Sequence, residues 1–227
     1  MDADAYYRIM DILRPSGVQL LAVSKTKKAD EILSLYNLGQ RDFGENYVQE
    51  MLEKQTVLPR DIRWHFIGHL QSNKVKNIAP FVHMIQSVDS LKLLLEIEKH
   101  AVKNQRHIYC LLQIHIAMEE TKFGLDEKEF DTLLQSIISL KSNGQLNKVK
   151  ISGCMGMASL TANREEIRRE FDTLKSIFQK LARALPEDTV ETLSMGMSSD
   201  YPIAIEAGST MIRIGSLIFG ERGDAHK

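Results

Sequence analysis

Eight β-rich runs alternate with amphipathic helical patterns along the 227 residues of this chain, and this repeat limits the possible folds most strongly. The runs lie at 18–24, 41–46, 63–68, 82–88, 107–116, 149–155, 190–195 and 210–214. Strands that alternate with helices predict a parallel sheet. Eight such units in a chain of this length favour a closed (β/α)8 barrel over the alternative, a doubly wound open sheet. We expect one domain over 1–227.

The helical patterns carry boundary signals of their own. A helix over 3–13 is expected to lead into the barrel, and the longest amphipathic helix is predicted over 164–184. Acidic residues that precede an apolar stripe predict N-caps, which places Asp89 before the helix that follows the fourth run and Asp126 before the next helix.

Composition excludes several classes of protein. The 29 basic and 30 acidic residues give a formal net charge of −1, so no strong field attracts nucleic acid or an anionic membrane. The N-terminal MDADAYYRIM is too polar for a signal peptide, and no apolar run is long enough for a membrane span. Cys110 and Cys154 are too few for a disulfide scaffold. We therefore expect a cytoplasmic globular protein whose two cysteines pack as small hydrophobic side chains.

In a barrel, the chemistry lies at the carboxyl ends of the strands. Lys25 ends the first run, where partial desolvation would lower the pKa of its ammonium and suit it to Schiff-base chemistry. The alternative is a solvated lysine in an ordinary turn. Lys27 and Lys28 are predicted to face solvent.

The last two strands end in segments typical of a phosphate site. Such sites often lie after strands 7 and 8 of a barrel, at the N-terminus of a short helix. The backbone N–H groups of Gly215 and Ser216, with the Ser198 hydroxyl, suit this role, although two ordinary turns are the alternative. A Schiff-base lysine and a phosphate cradle are together what pyridoxal phosphate (PLP) requires.

Other polar positions give weaker signals. His65 and His69 have the spacing of metal ligands on a helix, but a strand and a glycine separate them, so we predict no metal site. His65 is instead expected to point into the barrel and His69 into a loop. Asn46 either contacts a ligand or caps the following helix. Gly153 and Gly156 suggest a close backbone approach.

The ordered motifs resemble the YggS/PROSC family of PLP-binding proteins, called PLP homeostasis proteins. The matching segments are LLAVSKTK (21–28), GQRDFGENYVQE (39–50), WHFIGHLQSNK (64–74), TKFG (121–124), LSMGMSSD (193–200) and AGSTMIRIGSLIFG (207–220). They run from the first strand to the last. The resemblance implies a single barrel like the N-terminal domain of alanine racemase.

The resemblance also implies roles for individual residues. Lys25 would be the Schiff-base lysine, and Arg213 would face the pyridine nitrogen. The phosphate site would include Gly215, Ser216 and Ser198. The remaining implied cofactor-pocket positions are Asn46, His65 and Ser194. Lys122 aligns with a loop lysine whose role is open, and two departures from the family pattern, at His69 and in 153–159, put the local pocket details in question.

An arginine opposite the pyridine nitrogen has a chemical consequence. Its guanidinium is always charged and cannot accept a proton, so the pyridine nitrogen should stay unprotonated. An unprotonated ring is a poorer electron sink for a carbanion, which argues against transaminase-type chemistry. Racemases of this type take a second base, a tyrosine, from a separate C-terminal domain for which this chain leaves no room.

We therefore expect a monomeric protein that binds and buffers PLP without robust turnover and releases it to apo PLP-dependent enzymes. A weak amino-acid racemase is the alternative function. A barrel enzyme that acts on a phosphorylated metabolite is a third, and it requires no bound PLP.

Overall fold

The computed structural model describes residues 1–119, 122–186 and 188–220. Its eight strands form a closed barrel in sequential order, and every neighbouring pair is parallel. Closure is made by the first and last strands, which pair from Gln19 with Met211 to Ala22 with Ile214. The predicted barrel is thereby confirmed and the open sheet is wrong.

Each strand is followed by at least one helix. The strands are β1 Gln19–Val23, β2 Asp42–Glu45, β3 Arg63–Phe66, β4 Met84–Val88, β5 Ile108–Ile114, β6 Val149–Gly156, β7 Thr192–Ser194 and β8 Met211–Ile214. The α-helices are α1 Ala3–Leu13, α2 Ala29–Asn37, α3 Val48–Val57, α4 Val75–Ile78, α5 Leu91–Lys103, α6 Glu127–Ser142, α7 Arg164–Ala184, α8 Tyr201–Ala207 and α9 Ser216–Phe219. Short 3-10 turns occupy Arg14–Ser16 and Ser72–Lys74.

Local capping chemistry explains two of the helix starts. Asp126 caps α6, because its Oδ1 accepts from the Glu129 N–H at 2.7 Å while Glu129 returns a bond to the Asp126 N–H. The predicted cap at Asp89 is wrong. Ser90 takes that place, and its hydroxyl accepts from the Leu93 N–H at 3.3 Å. A serine one residue later has the same capping chemistry, which sequence alone did not separate.

The main apolar core lies between the outer faces of the strands and the helices. Side chains alternate along each strand, so that Trp64 and Phe66 of β3 face this core while His65 faces the barrel interior. The interior holds a small second cluster of Met84, Leu111 and Met155. Buried polar side chains also lie in the interior, among them His65, Gln86, Ser194 and Arg213.

Two further observations concern the described residues. None of their helices has the length and apolar character that crossing a membrane would require. Cys110 and Cys154 are both free and buried.

Candidate functional site

A cavity of about 380 Å³ opens at the carboxyl ends of the strands. Segments that follow six of the eight strands contribute to its wall. Its apolar part is formed by Val23, Ile67, Met155, Met157 and Met197. Its polar part is formed by Lys25, Thr26, Lys27, Asn46, Ser198, Ser199, Arg213 and Ser216.

The charge of this wall is one-sided. Lys25, Lys27 and Arg213 line the cavity, and no aspartate or glutamate does so among the described residues. The chain as a whole is nearly neutral, at −1, so the positive charge is concentrated locally. Three cations around an enclosed space favour an anionic ligand.

The turn after β1 brings two of these lysines to the cavity. The Ser24 N–H donates to the Gly44 carbonyl at 2.9 Å, and the Lys27 N–H donates to the Ser24 carbonyl at 3.1 Å. Thr26 closes this turn in the left-handed region, with φ 65°. The prediction that Lys27 faces solvent is wrong, because its Nζ donates to the Phe219 carbonyl at 2.9 Å. Lys28 is exposed, as predicted.

Arg213 lies at the floor of the cavity on β8 and is almost fully buried. One terminal nitrogen donates to the Ser194 carbonyl and to the Ser194 hydroxyl, both at 2.8 Å. The other donates to the Gly156 carbonyl at 2.9 Å. Burial lowers the pKa of Arg213 to about 10, against the opposing effect of the Asp200 carboxylate. The guanidinium is therefore still charged at neutral pH and is held in one orientation.

A hydrogen-bonded chain continues below Arg213 through the barrel interior. The Ser194 hydroxyl donates to Gln86 Oε1 at 2.7 Å, and Gln86 Nε2 lies 3.0 Å from His65 Nδ1. His65 Nε2 lies 3.1 Å from Asp42 Oδ1. Since arginine can only donate, it fixes the direction of every later bond, and His65 must carry its proton on Nε2. His65, with Arg63, holds the pKa of Asp42 well below its usual range despite the opposing effect of burial.

Two of the predicted site residues, His65 and Ser194, belong to this hydrogen-bonded chain. His65 points into the barrel as expected, but neither His65 nor Ser194 lines the cavity. Both lie beneath Arg213 and support it. The His69 ring is in the loop and stacks on Phe123 at 4.4 Å. Among the described residues, no group of three or more possible ligands could hold a metal ion.

The ends of β7 and β8 meet at one side of the cavity. Asp200 Oδ1 accepts from the Met197 N–H at 2.6 Å and so fixes the loop that carries Ser198. Gly196 adopts φ +95°, and a Cβ there would lie 2.6 Å from the Ala204 side chain. Gly215 precedes the first residue of α9, Ser216, and the first N–H groups of a helix have no partner within it. Ser198, Gly215 and Ser216 all line the cavity, as predicted.

Asn46 does not cap α3, because Tyr47 is the N-cap residue. Its side chain lines the cavity instead, and its Oδ1 is buried without a hydrogen-bond partner in the described structure. Gly68 packs so tightly that an added Cβ would collide with the Asn46 carbonyl. Asn46 is therefore a polar side chain held at the wall with unused hydrogen-bonding capacity.

The two glycines of β6 have structural explanations. A Cβ on Gly153 would collide with the Thr192 carbonyl of the neighbouring strand, and one on Gly156 would lie 2.8 Å from Leu174. The close backbone approach that the sequence suggested at these glycines is therefore to neighbouring protein groups.

Lys122 donates to Glu119 and to the Ala158 carbonyl and does not line the cavity. Thr121, part of the TKFG motif, lies outside the described residues.

Sequence reasoning missed part of the wall. The sequence did not single out the three methionines of the wall, Ser199 or Thr26 as cavity residues. Methionine is common in apolar cores and serine is common in turns, so neither residue type marks a binding site by itself. The supporting chain through Gln86 was also missed. Gln86 lies 21 residues from His65 and 108 residues from Ser194 in sequence, and only the barrel register brings the three together.

Comparisons with known proteins agree on the relationship. Residues 4–223 match the family described as alanine racemase, N-terminal domain. A pyridoxal phosphate homeostasis protein of Haemophilus influenzae is 40% identical over 208 residues, which is 90% of this chain and 85% of that protein. The human protein of the same name is 39% identical over 221 residues, which is 92% of this chain and 78% of that protein.

Solved structures give the same result. PipY of Synechococcus elongatus, solved without PLP, has a TM-score of 0.88 at 36% identity and covers 97% of this chain and 100% of its own. The same protein with PLP bound has a TM-score of 0.85. An alanine racemase of Streptomyces lavendulae shares the fold at 15% identity and a TM-score of 0.71, and 55% of its chain is covered. The chain belongs to the family of pyridoxal phosphate homeostasis proteins, built on the alanine racemase N-terminal domain fold.

Proposed function

We propose that this protein binds PLP in the cavity and holds it as a Schiff base on Lys25, in PLP homeostasis, without robust catalytic turnover. The observation that carries the proposal is a cavity lined by three cations and, among the described residues, by no carboxylate, with one of its lysines two residues after the end of β1. The names of the relatives and the PLP-bound PipY structure support the same conclusion.

The residues fit this cofactor. The cavity volume of about 380 Å³ lies in the range of small-molecule sites. Ser198, Gly215 and Ser216 would bind the phosphate, and Arg213 would donate to the pyridine nitrogen. Asn46 would use its unpartnered amide oxygen, Oδ1, to accept a hydrogen bond from the cofactor. PLP would supply an aldehyde that can condense with Lys25 Nζ to an imine, with release of one water.

The same residues disfavour amino-acid chemistry. Arg213 keeps its charge and offers the ring nitrogen a hydrogen bond rather than a proton, so carbanion formation gains little from the ring. None of the six tyrosines lines the cavity to act as a second base. The proposal extends to a single PLP-binding domain over 1–227, acting as a cytoplasmic monomer that releases the cofactor to apo-enzymes.

The test is the visible absorption spectrum of the purified protein with added PLP, before and after borohydride, followed by peptide mass mapping. We expect a band that borohydride bleaches and a pyridoxyl group on the peptide that contains Lys25. Lys25→Ala should lose both, while Lys122→Ala, which alters a lysine outside the cavity, should keep them. A wild-type protein that stays colourless with PLP would contradict the proposal. Exchange of amino-acid Cα protons at enzymatic rates would instead establish the racemase alternative.

A further inference from the structure

Lys54 of α3 is a buried lysine that does not line the cavity and that the proposed function leaves unexplained. Its Nζ donates to Glu45 Oε1 at 2.8 Å, to Glu50 Oε2 at 3.0 Å and to the Ser24 carbonyl at 2.8 Å. These three bonds use all three ammonium protons. The side chain is therefore held in a single position beside the turn that follows β1.

The acceptors of Lys54 are attached to the same turn. The Ser24 hydroxyl donates to Glu45 Oε1 at 2.5 Å, and the Thr26 N–H donates to Glu50 Oε2 at 2.7 Å. The Ser24 carbonyl and the Thr26 N–H belong to the two peptide bonds that flank Lys25. The cluster of Lys54, Glu45 and Glu50 thus holds the main chain on both sides of the proposed Schiff-base lysine.

The conformation of this turn needs such support. Thr26 has φ 65°, a left-handed conformation that a β-branched residue adopts only when its surroundings impose it. A buried ion cluster is in general weak evidence for a stabilising role, because desolvation opposes the attraction between the charges. Burial indeed raises the pKa of Glu45 despite the neighbouring ammonium. Holding one backbone geometry gives this cluster a role that does not depend on a net gain in global stability.

We propose that Lys54 is a positioning residue that, through Glu50 and the Ser24 carbonyl, sets the main-chain geometry from which Lys25 captures the cofactor aldehyde. This inference rests on the proposed function. It assigns Lys54 to covalent capture alone, because the proposed phosphate-binding and ring-binding residues lie on β8 or after the ends of β2, β7 and β8, and Lys54 bonds to none of them.

The experiment compares two ligands. PLP can form the covalent link to Lys25, whereas pyridoxamine phosphate has no aldehyde and reports only non-covalent binding in the cavity. In Lys54→Met, PLP affinity is expected to fall by about 10- to 100-fold, the usual effect of displacing a reacting group by about 1 Å. The affinity for pyridoxamine phosphate should change less than about twofold, because an untouched set of contacts holds it.

Two further variants keep the test decisive. Lys54→Met combined with Glu45→Gln removes the buried charge left behind and guards against simple unfolding. Lys141→Met is the matched control, since it deletes another partly buried lysine, bonded to Asp188 at 2.8 Å, at the opposite end of the barrel. It should leave both affinities unchanged.

Hydrogen exchange of the ligand-free protein gives an independent readout. The Thr26 amide should exchange faster in the Lys54 variants than in wild type. The positioning role would be overturned if Lys54→Met lost affinity for PLP and for pyridoxamine phosphate to the same extent. It would also be overturned if a folded Lys54 variant kept the wild-type affinity for PLP. If wild type fails to bind PLP, the proposed function fails, and the exchange rate of Thr26 still decides whether Lys54 holds the turn.

Discussion

Replacement of Gln86 by leucine tests the interior chain beneath the cavity. Gln86 is fully buried, accepts from the Ser194 hydroxyl at 2.7 Å and donates to His65 Nδ1 at 3.0 Å. Gln86→Leu keeps the volume but leaves the Ser194 hydroxyl proton without an acceptor, although Arg213 still donates to that oxygen, and leaves His65 Nδ1 without a donor. Each orphaned group costs about 1–3 kcal/mol, so we expect the free energy of unfolding to fall by about 2–5 kcal/mol.

Urea unfolding of the ligand-free protein measures this loss. Gln113→Leu is the matched control, because that buried glutamine makes one hydrogen bond, to the Phe123 carbonyl, and should cost about 1 kcal/mol. Ser194→Ala should destabilise wild type more than it destabilises Gln86→Leu, where the hydroxyl proton already lacks its acceptor and only the bond from Arg213 remains. A coupling energy below about 0.5 kcal/mol between Ser194→Ala and Gln86→Leu would refute the hydrogen-bonded chain that links these two side chains.

Three further changes test other parts of the site. Burial lowers the pKa of His83 from 6.5 to about 4, so the unfolded state takes up a proton first as the pH falls. After allowance for partial exposure, about 1–2 kcal/mol of stability should be lost between pH 6.5 and 4, and His83→Phe should flatten this slope in pH-dependent urea titrations. Gly68→Ala, whose Cβ would collide with the Asn46 carbonyl, should displace that cavity wall and weaken pyridoxamine phosphate binding by about 10-fold, measured by calorimetry; unchanged binding would contradict the tight packing. Lys27→Gln removes one of three cavity cations and should weaken PLP binding by about 3- to 10-fold with a smaller dependence on salt; an unchanged salt dependence would argue against its electrostatic role.

The order of strands and helices could be predicted because each element has a local signature. The helix predicted over 164–184 has the observed bounds of α7, since its apolar stripe is long and regular. Closure of the barrel is different, because it depends on pairing between β1 and β8 at opposite ends of the chain. The count of eight units indicated closure without showing it.

Individual side chains were predictable where position on a strand decides their role. Lys25, Ser198, Gly215 and Ser216 follow strand ends, and all four line the cavity. His65 and Ser194 lie within strands. There, the position of a residue along its strand decides how deep in the barrel its side chain lies. Sequence patterns gave the correct face for His65 but not this depth, and they gave no sign that Lys54 reaches Ser24 from α3.

The bonds that immobilise Arg213 have a consequence for the entropy of binding. An arginine that is free to move gives up about 2 kcal/mol of rotamer entropy when a ligand fixes it. Here the Ser194 and Gly156 carbonyls have already removed that freedom during folding. A ligand that reaches the floor of the cavity therefore meets a preorganised charge, and the ordering penalty is carried by the folding equilibrium instead.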